Sequence, residues 1–437
     1  MNIQSFLDGD PRALKIPTFA EMQRRTDSLR THAGVAVEQI GTDRFGTPIE
    51  MISIGEGATS ILVVGAPHPN EPIGCIAIEW LIAQLCDDSG MRLDPGLRWH
   101  FIKSIEPYAL KQNEGWFSQR DLPAYLHHFY RPALAQQAEY TFPSKVWQPP
   151  HHRSTVENLA YQRALQLARP DLLVSLHNAE NAGAFYYLSR EDMGLASALS
   201  RQAQARGLAL NTCGEGLFGA KDTQLAPGVF FYPYSQPGPR EAWPMAGVSV
   251  GDYLAENGHS TLVLVPEVPC LADVALAPGA SMDEDLLIAS LAIDRGIVES
   301  LTAVVSAIAE DASPLEALYA EAIQDSMIAA FELPWLEMLK GQTGPQEYRA
   351  QLLGCRILGL RPLAGIRRLA AMRAARPGSP ALLKLAATAH LVAENHLAAA
   401  VAEPALRYGL RPVSLQLVVS NHLDAIFTAV ARVRGHV

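Results

Sequence analysis

The sequence predicts an α/β fold, a sheet covered by helices on both faces, followed by an all-helical segment. Three observations carry that prediction. Short runs of continuous apolar residues, Ile61–Gly65 (ILVVG), Asp171–Leu176 (DLLVSL) and Thr261–Val265 (TLVLV), read as strands buried on both faces. Helix-like stretches alternate with them, which is the pattern of an α/β sheet. From Pro314 to Val437 the chain is Ala/Leu-rich and holds no convincing strand.

The elements follow in order. Phe19–His32 reads as a polar-rich helix, and Val35–Ile40 and Ile49–Ile54 as two strands around the turn-rich GTDRFGTP. After ILVVG, Pro72 is read as opening an apolar helix, IGCIAIEWLIAQL, because the N–H that proline lacks is unpaired at a first helical position anyway. Trp99–Ile105 is a further strand, and Thr155–Leu167 a helix leading into DLLVSL. Ser281–Glu284 and Ser313–Glu316 each match a helix capping box, with Pro314 in the first turn of the second. Breaks are expected at GQTGP, ARPGSP and the two copies of GLRP, Gly359–Pro362 and Gly409–Pro412. Two copies are too few for a solenoid, which needs at least about three repeats. The division expected is a catalytic domain over 1–312 and a helical accessory domain over 313–437.

With 437 residues, 49% hydrophobic and 18% charged, the composition excludes a disordered chain, a collagen-like fibre and a disulfide-stapled miniprotein. No run of about eighteen uninterrupted apolar residues is present, so no membrane span is expected. The start, MNIQSFLDGDPRALK, lacks the pattern of a secretory signal, and the five cysteines are scattered without a CxxC pair. A reducing compartment, the cytoplasm, is therefore the expected location. The net charge of −10 disfavours nucleic-acid binding. Residues 345–437 nevertheless carry twelve Lys/Arg against four Asp/Glu, a balance of +8, which leaves −18 on the rest. The arginines are dispersed, which favours docking of the two parts, or simple solubilisation, over an acidic partner.

The informative residues stand at strand ends. After ILVVG comes APHPNEP, with His68 and Glu71; after DLLVSL come His177 and Asn178; after TLVLVP comes Glu267. Ligands of an α/β sheet bind beyond the carboxyl ends of its strands. Two histidines and a glutamate delivered there are three ligands for one Zn2+, with a position left for water. Glu267 is then available as base for that water, and the set suits amide hydrolysis. The adjacent pairs His127/His128 and His151/His152 point to different sides, so neither pair alone makes a second metal site. Cys270 has no positioned histidine and is a poor nucleophile.

These blocks, together with SIEPYALKQNEGWF and GDYLAENGHSTLVLVPEV, resemble the zinc carboxypeptidases of peptidase family M14. More loosely they resemble the succinylglutamate desuccinylase/aspartoacylase group. The resemblance covers roughly Phe19 to Pro278. It implies a mixed, mostly parallel twisted sheet of about eight strands between helices, with His68, Glu71 and His177 as zinc ligands and Glu267 as catalytic glutamate. It further implies Arg131, in HFYRPALAQQ, as the residue that holds a substrate carboxylate, although Tyr130 replaces the family's asparagine. Arg120, in WFSQR, is the implied counterpart of the oxyanion-stabilising arginine. Glu267 is followed by Val268 and Pro269, where the family often has an arginine two positions on. Asn113 is a candidate cleft residue, and Tyr234, in a Gly/Pro-rich segment with Tyr232 and Trp243, a candidate lid or side wall.

The expected function is removal of a C-terminal residue from a peptide or peptide-like molecule. An N-acyl amino acid deacylase using the same metal is the near alternative, and a non-catalytic binding protein on the same fold the distant one. The expected partners are that substrate and, through the helical tail, a second copy or another protein, with no nucleic acid and no membrane.

Overall fold

The computed structural model describes residues 3–87, 94–146, 153–214, 223–232, 247–273, 284–332 and 345–435. Strands β1 (Val35–Thr42) and β2 (Pro48–Ile54) form the antiparallel hairpin read from the sequence. Its turn is held by Asp43, whose Oδ1 accepts from the N–H groups of Phe45 and Thr47. The remaining sheet strands are β3 (Thr59–Gly65), β4 (Leu97–Ile102), β5 (Leu172–Leu176), β6 (Phe185–Leu188), β7 (Gln224–Ala226), β8 (Val229–Phe231) and β9 (Leu262–Glu267). They make one nine-stranded mixed sheet in the order β1-β2-β4-β3-β5-β9-β6-β8-β7. Its centre, β4-β3-β5-β9, is parallel, and the hairpins at its two edges are antiparallel.

The apolar runs behave as doubly buried strands. Ile61 and Val63 join one hydrophobic cluster while Leu62 and Val64 join another, and all four are fully buried. Alternate side chains of a strand point to opposite faces, so this split shows a covered layer on each side. Leu172, Val174 and Leu262 fall with the first cluster, Leu173 and Val263 with the second. Full burial of one such side chain stabilises by about 1.5–3 kcal/mol.

The helices are α1 (Gln4–Leu7), α2 (Phe19–Leu29), α3 (Gly74–Cys86), α4 (Pro107–Asn113), α5 (Leu122–His128), α6 (Val156–Ala168), α7 (Met193–Ala205) and α8 (Val250–Glu256). Beyond these come α9 (Glu284–Ala309), α10 (Pro314–Met327), α11 (Pro345–Ala374), α12 (Pro380–Ala402), α13 (Pro404–Gly409) and α14 (Leu415–Val433). Thr155 caps α6 through its side-chain oxygen, and Ser313 with Glu316 forms the capping box that opens α10. The box at Ser281 lies outside the described residues. Pro72 does not open α3, which begins at Gly74. Tight turns, with Cys75 N–H on the Pro72 carbonyl and Ile76 N–H on that of Ile73, come first.

Two expectations for the C-terminal part are corrected. The first GLRP does not break a helix, because α11 runs through Pro362. An interior proline costs about 3 kcal/mol; Leu360, Leu363, Ala364 and Ile366 around it are buried, which offsets that cost. The second GLRP does end a helix, but it continues as a strand, β11 (Leu410–Pro412), paired antiparallel with β10 (Leu271–Asp273).

The boundary read between 312 and 313 falls between α9 and α10, yet the hydrophobic core does not divide there. One cluster runs from Ile61, Val174 and Leu264 in the sheet to Ile357 and Leu369 in α11 and Val418, Val419 and Ile426 in α14. Helix α14 packs on α3, α7, β5 and β9. Several arginines of this part dock on the rest of the chain, whereas Arg407 and Arg411 are exposed. Arg356 and Arg373 are each only 1% exposed, bridged to Asp294 and Asp311 respectively. Arg368 donates to the carbonyls of His128 and Phe129.

Candidate metal centre

His68 stands in the turn after β3, where Ala66 takes a left-handed φ of 42° and swings the chain off the sheet edge. The Glu71 N–H bonds back to the His68 carbonyl at 3.0 Å, so HxxE is one tight turn that brings both side chains to the same side. His177 follows β5 directly. Its backbone continues the sheet for one more residue, as a parallel bridge to Glu267 at the end of β9. Sheet register therefore sets His177 and Glu267 side by side.

His68, Glu71 and His177 are all buried and each offers a ligand atom within 4.8 Å of the others. The two imidazole rings lie 4.7 Å apart between centroids, steeply inclined at 70°. His177 Nδ1 is 2.9 Å from Glu71 Oε2 and 3.5 Å from Glu267 Oε1. His68 Nδ1 is buried without a hydrogen-bond partner. An orphaned ring nitrogen, a second imidazole and a carboxylate, closely spaced, fit a zinc ion held at about 2.0–2.2 Å by N and O ligands. Burial, then the charges of Arg131, His177 and Arg361, hold the His68 pKa well below its usual value, so the ring is neutral and its lone pair available. Burial alone pushes Glu71 upward. His177, Arg131 and the Asn178 N–H outweigh it and keep the carboxyl below its ordinary range.

The surroundings fix these donors. Asn178 accepts from the Ile73 N–H at 3.1 Å and donates to the Val268 carbonyl at 3.1 Å, stitching the β3, β5 and β9 loops together. His422 of α14 sits 3.0 Å from the His177 carbonyl, so the last helix also braces the site.

The other residues singled out by sequence are distributed as follows. Arg131 is close, with Nη1 3.0 Å from Glu71 Oε1, and is 22% exposed. Arg120 has a left-handed φ of 56° and donates through Nη1 to the Val413 carbonyl at 2.8 Å, just after β11. Asn113 is fully buried. Its amide donates to the carbonyls of Ala109 and Tyr130 and accepts from the Tyr130 N–H, so it clamps the segment that carries Arg131. Tyr234 and Trp243 lie outside the described residues. Cys270 is held by burial, Glu71 and Glu267 as an un-ionised thiol, its pKa pushed up.

Three neighbours were not found from sequence. The Tyr140 hydroxyl is 3.4 Å from His68 Nε2, with the two rings stacked at 5.5 Å. Glu139 beside it is buried with Oε2 unpartnered, and burial, together with Glu71, raises its pKa. Arg361 bridges Glu180, which also accepts from the Tyr125 hydroxyl at 2.7 Å. None of these follows an apolar strand run. The only signal near any of them is the repeated GLRP, whose first copy contains Arg361.

No family model and no curated protein matches the chain. Among solved structures it is similar to bovine thrombin-activatable fibrinolysis inhibitor in complex with tick carboxypeptidase inhibitor. That match has 11% identity over 57% of this chain and 86% of the other, with a TM-score of 0.37. It is also similar to the carboxypeptidase A of Helicoverpa armigera, at 12% identity over 62% and 72% of the two chains and a TM-score of 0.40. A metallo-carboxypeptidase from Burkholderia cenocepacia matches at 13% identity over 58% and 60%, with a TM-score of 0.37.

Proposed function

We propose that this chain is a zinc-dependent amide hydrolase that removes a C-terminal residue from a peptide or peptide-like small molecule. The observation that carries the reading is the convergence of His68, Glu71 and His177 with Glu267 3.5 Å from His177. A zinc ion bound there polarises a carbonyl and acidifies water. Glu267, delivered by the end of β9, accepts the proton of the attacking water and returns it to the departing amine. Asn178 keeps the loops bearing these groups in register. Arg131 holds the substrate's free carboxylate through a guanidinium fork, which an internal peptide bond does not engage. Arg120 is assigned to the developing oxyanion through the guanidinium donors left beside its bond to Val413.

The test is Glu267→Gln in the full chain. The variant is expected to bind zinc at parental stoichiometry and to lose about two to four orders of magnitude in kcat on N-acetylated dipeptides. Undiminished hydrolysis removes Glu267 from the mechanism. Arg131→Ala is expected to raise KM for free-carboxylate substrates and to matter less for amidated ones; Arg120→Ala is expected to lower kcat with KM little changed. A cytoplasmic location accords with the five free cysteines, and no helix among the described residues is long and apolar enough to cross a membrane.

A further inference from the structure

We propose that Tyr140 and Ser175 are positioning residues of the metal centre. The Tyr140 hydroxyl engages Nε2 of His68 and the Ser175 hydroxyl engages Nε2 of His177, which leaves Nδ1 of each ring to face the metal. The proposal rests on the zinc-hydrolase reading and deepens it, because it says what sets the tautomer and the aim of the two imidazole ligands.

The ring nitrogens divide in the same way in both histidines. His177 Nδ1 lies 2.9 Å from Glu71 Oε2 and 3.5 Å from Glu267 Oε1, while its Nε2 lies 3.2 Å from Ser175 Oγ. His68 Nε2 lies 3.4 Å from the Tyr140 hydroxyl, and its buried Nδ1 has no hydrogen-bond partner. A neutral imidazole carries one N–H and one lone pair, and a buried N–H with no acceptor is costly. The His68 proton therefore belongs on Nε2, where the Tyr140 oxygen accepts it, and the lone pair on Nδ1. A metal-ligating histidine needs this arrangement, one nitrogen for the ion and the other tied to an acceptor.

Both hydroxyls are placed by the fold. Ser175 stands two residues before His177 at the end of β5, so the two side chains leave the same face of the strand. It is the one polar residue in a strand otherwise made of leucine and valine, and it is fully buried. A hydroxyl there is costly unless it is hydrogen-bonded. Tyr140 closes the one-turn helical segment Ala138–Tyr140, which is pinned from both sides. The Ala138 N–H donates to Glu106 and its carbonyl accepts from the Asn158 amide, at 2.7 Å each, and Phe142 bridges Val248 two residues further on. The Tyr140 ring stacks on His68 at 5.5 Å and 28°, so ring and hydroxyl together limit how His68 turns.

A hydroxyl also suits a ring that changes partner. When the His177 Nδ1 proton points at Glu71, Ser175 donates to Nε2; when zinc takes Nδ1, Nε2–H donates and Ser175 accepts. An ionised carboxylate only accepts, and it would add a negative charge to the site.

The test uses the full chain, zinc-free and zinc-loaded, with Tyr140→Phe and Ser175→Ala. Each variant is expected to weaken the zinc Kd about 10–100-fold in chelator competition, with little change in the Tm of the zinc-free chain. A second readout depends on neither turnover nor affinity. In long-range proton–nitrogen NMR spectra of the zinc-free parent, His68 is expected as the Nε2–H tautomer, and as a mixture of tautomers in Tyr140→Phe. In the zinc-loaded parent both rings are expected to show a slowly exchanging Nε2–H. Tyr140→Phe is expected to lose that of His68 and keep that of His177, and Ser175→Ala to do the reverse. A merely loosened fold affects both rings alike, and that outcome overturns the proposal. A Kd within about twofold of the parent in a folded variant, or zinc bound through Nε2 of the histidine concerned, overturns the assignment of that hydroxyl. Should Ser175→Ala not fold, the nitrogen that His177 gives to zinc in the parent decides. If the parent binds no zinc, the hydrolase reading fails, and the zinc-free tautomer of His68 still decides for or against Tyr140.

Discussion

Two imidazoles and a carboxylate buried within 4.8 Å are costly to assemble unless something joins them. His68 and His177 are therefore the residues at which a single change is most informative. His68→Ala and His177→Ala are each expected to abolish zinc binding, read by metal analysis of the purified protein, and full stoichiometry in either counts against the site. A second residue-scale prediction concerns Glu106, which precedes α4. Its Oε1 accepts from the Ala138 N–H at 2.7 Å while Oε2 is buried and unpartnered. Burial, then the nearby Glu157, raises its pKa from 4.5 to about 8. The folded chain keeps a proton that the unfolded chain has lost, so its contribution is full below the ordinary carboxyl range and disappears as pH rises through about 8. Glu106→Gln keeps the acceptor and removes the titration. Its Tm relative to the parent is expected to climb between about pH 5 and about pH 9, and a flat difference refutes the assignment.

Among the elements, α3 and α11 are under the tightest constraint. A Cβ on Gly74 would stand 2.5 Å from Leu176 Cβ and 3.1 Å from the Leu176 carbonyl oxygen. Helix α3 therefore touches β5 at the residue just before His177, and Gly74 begins the helix just after Glu71. Gly74→Ala is expected to destabilise by about 1–3 kcal/mol in denaturant unfolding, with weaker zinc affinity because the two ligand loops are pushed apart. Strand ends were legible because a continuous apolar run can be recognised locally and the residues that follow it are then candidates. The fate of the two GLRP copies was not legible. Both contain the same proline, but at Pro362 buried leucines on either side carry the helix through, while at Pro412 the chain pairs with β10 just after Glu267 and Cys270. Local propensity was identical, and packing decided.

For the molecule as a whole, the shared core predicts cooperative behaviour. Val418, Val419, Leu423 and Ile426 of α14 are fully buried in the cluster that holds the sheet, and Asn421 accepts from the Tyr186 hydroxyl at 2.8 Å. Full-length protein is expected to unfold in one calorimetric transition, and a chain ending at residue 312 is expected to lose its native fold because α3, β5 and β9 are uncovered. A soluble, folded 1–312 fragment that binds zinc would refute this. Part of the basic balance of residues 345–437 has the same origin, because Arg356, Arg361, Arg368 and Arg373 are engaged with groups of the rest of the chain.

By itself the sequence determined the doubly covered sheet and the grouping of His68, Glu71 and His177. Both depend on short-range pattern: an apolar run makes a buried strand, and His68, Glu71, His177 and Glu267 come within a few residues of where such runs end. Tertiary structure alone decided that Asn113 grips the Tyr130 backbone, that His422 braces His177, and that Arg361 reaches Glu180 across 181 residues of chain. The last two contacts arise from the packing of C-terminal helices whose sequences are similarly apolar, and a pattern shared by those helices does not specify which face of which helix meets the site.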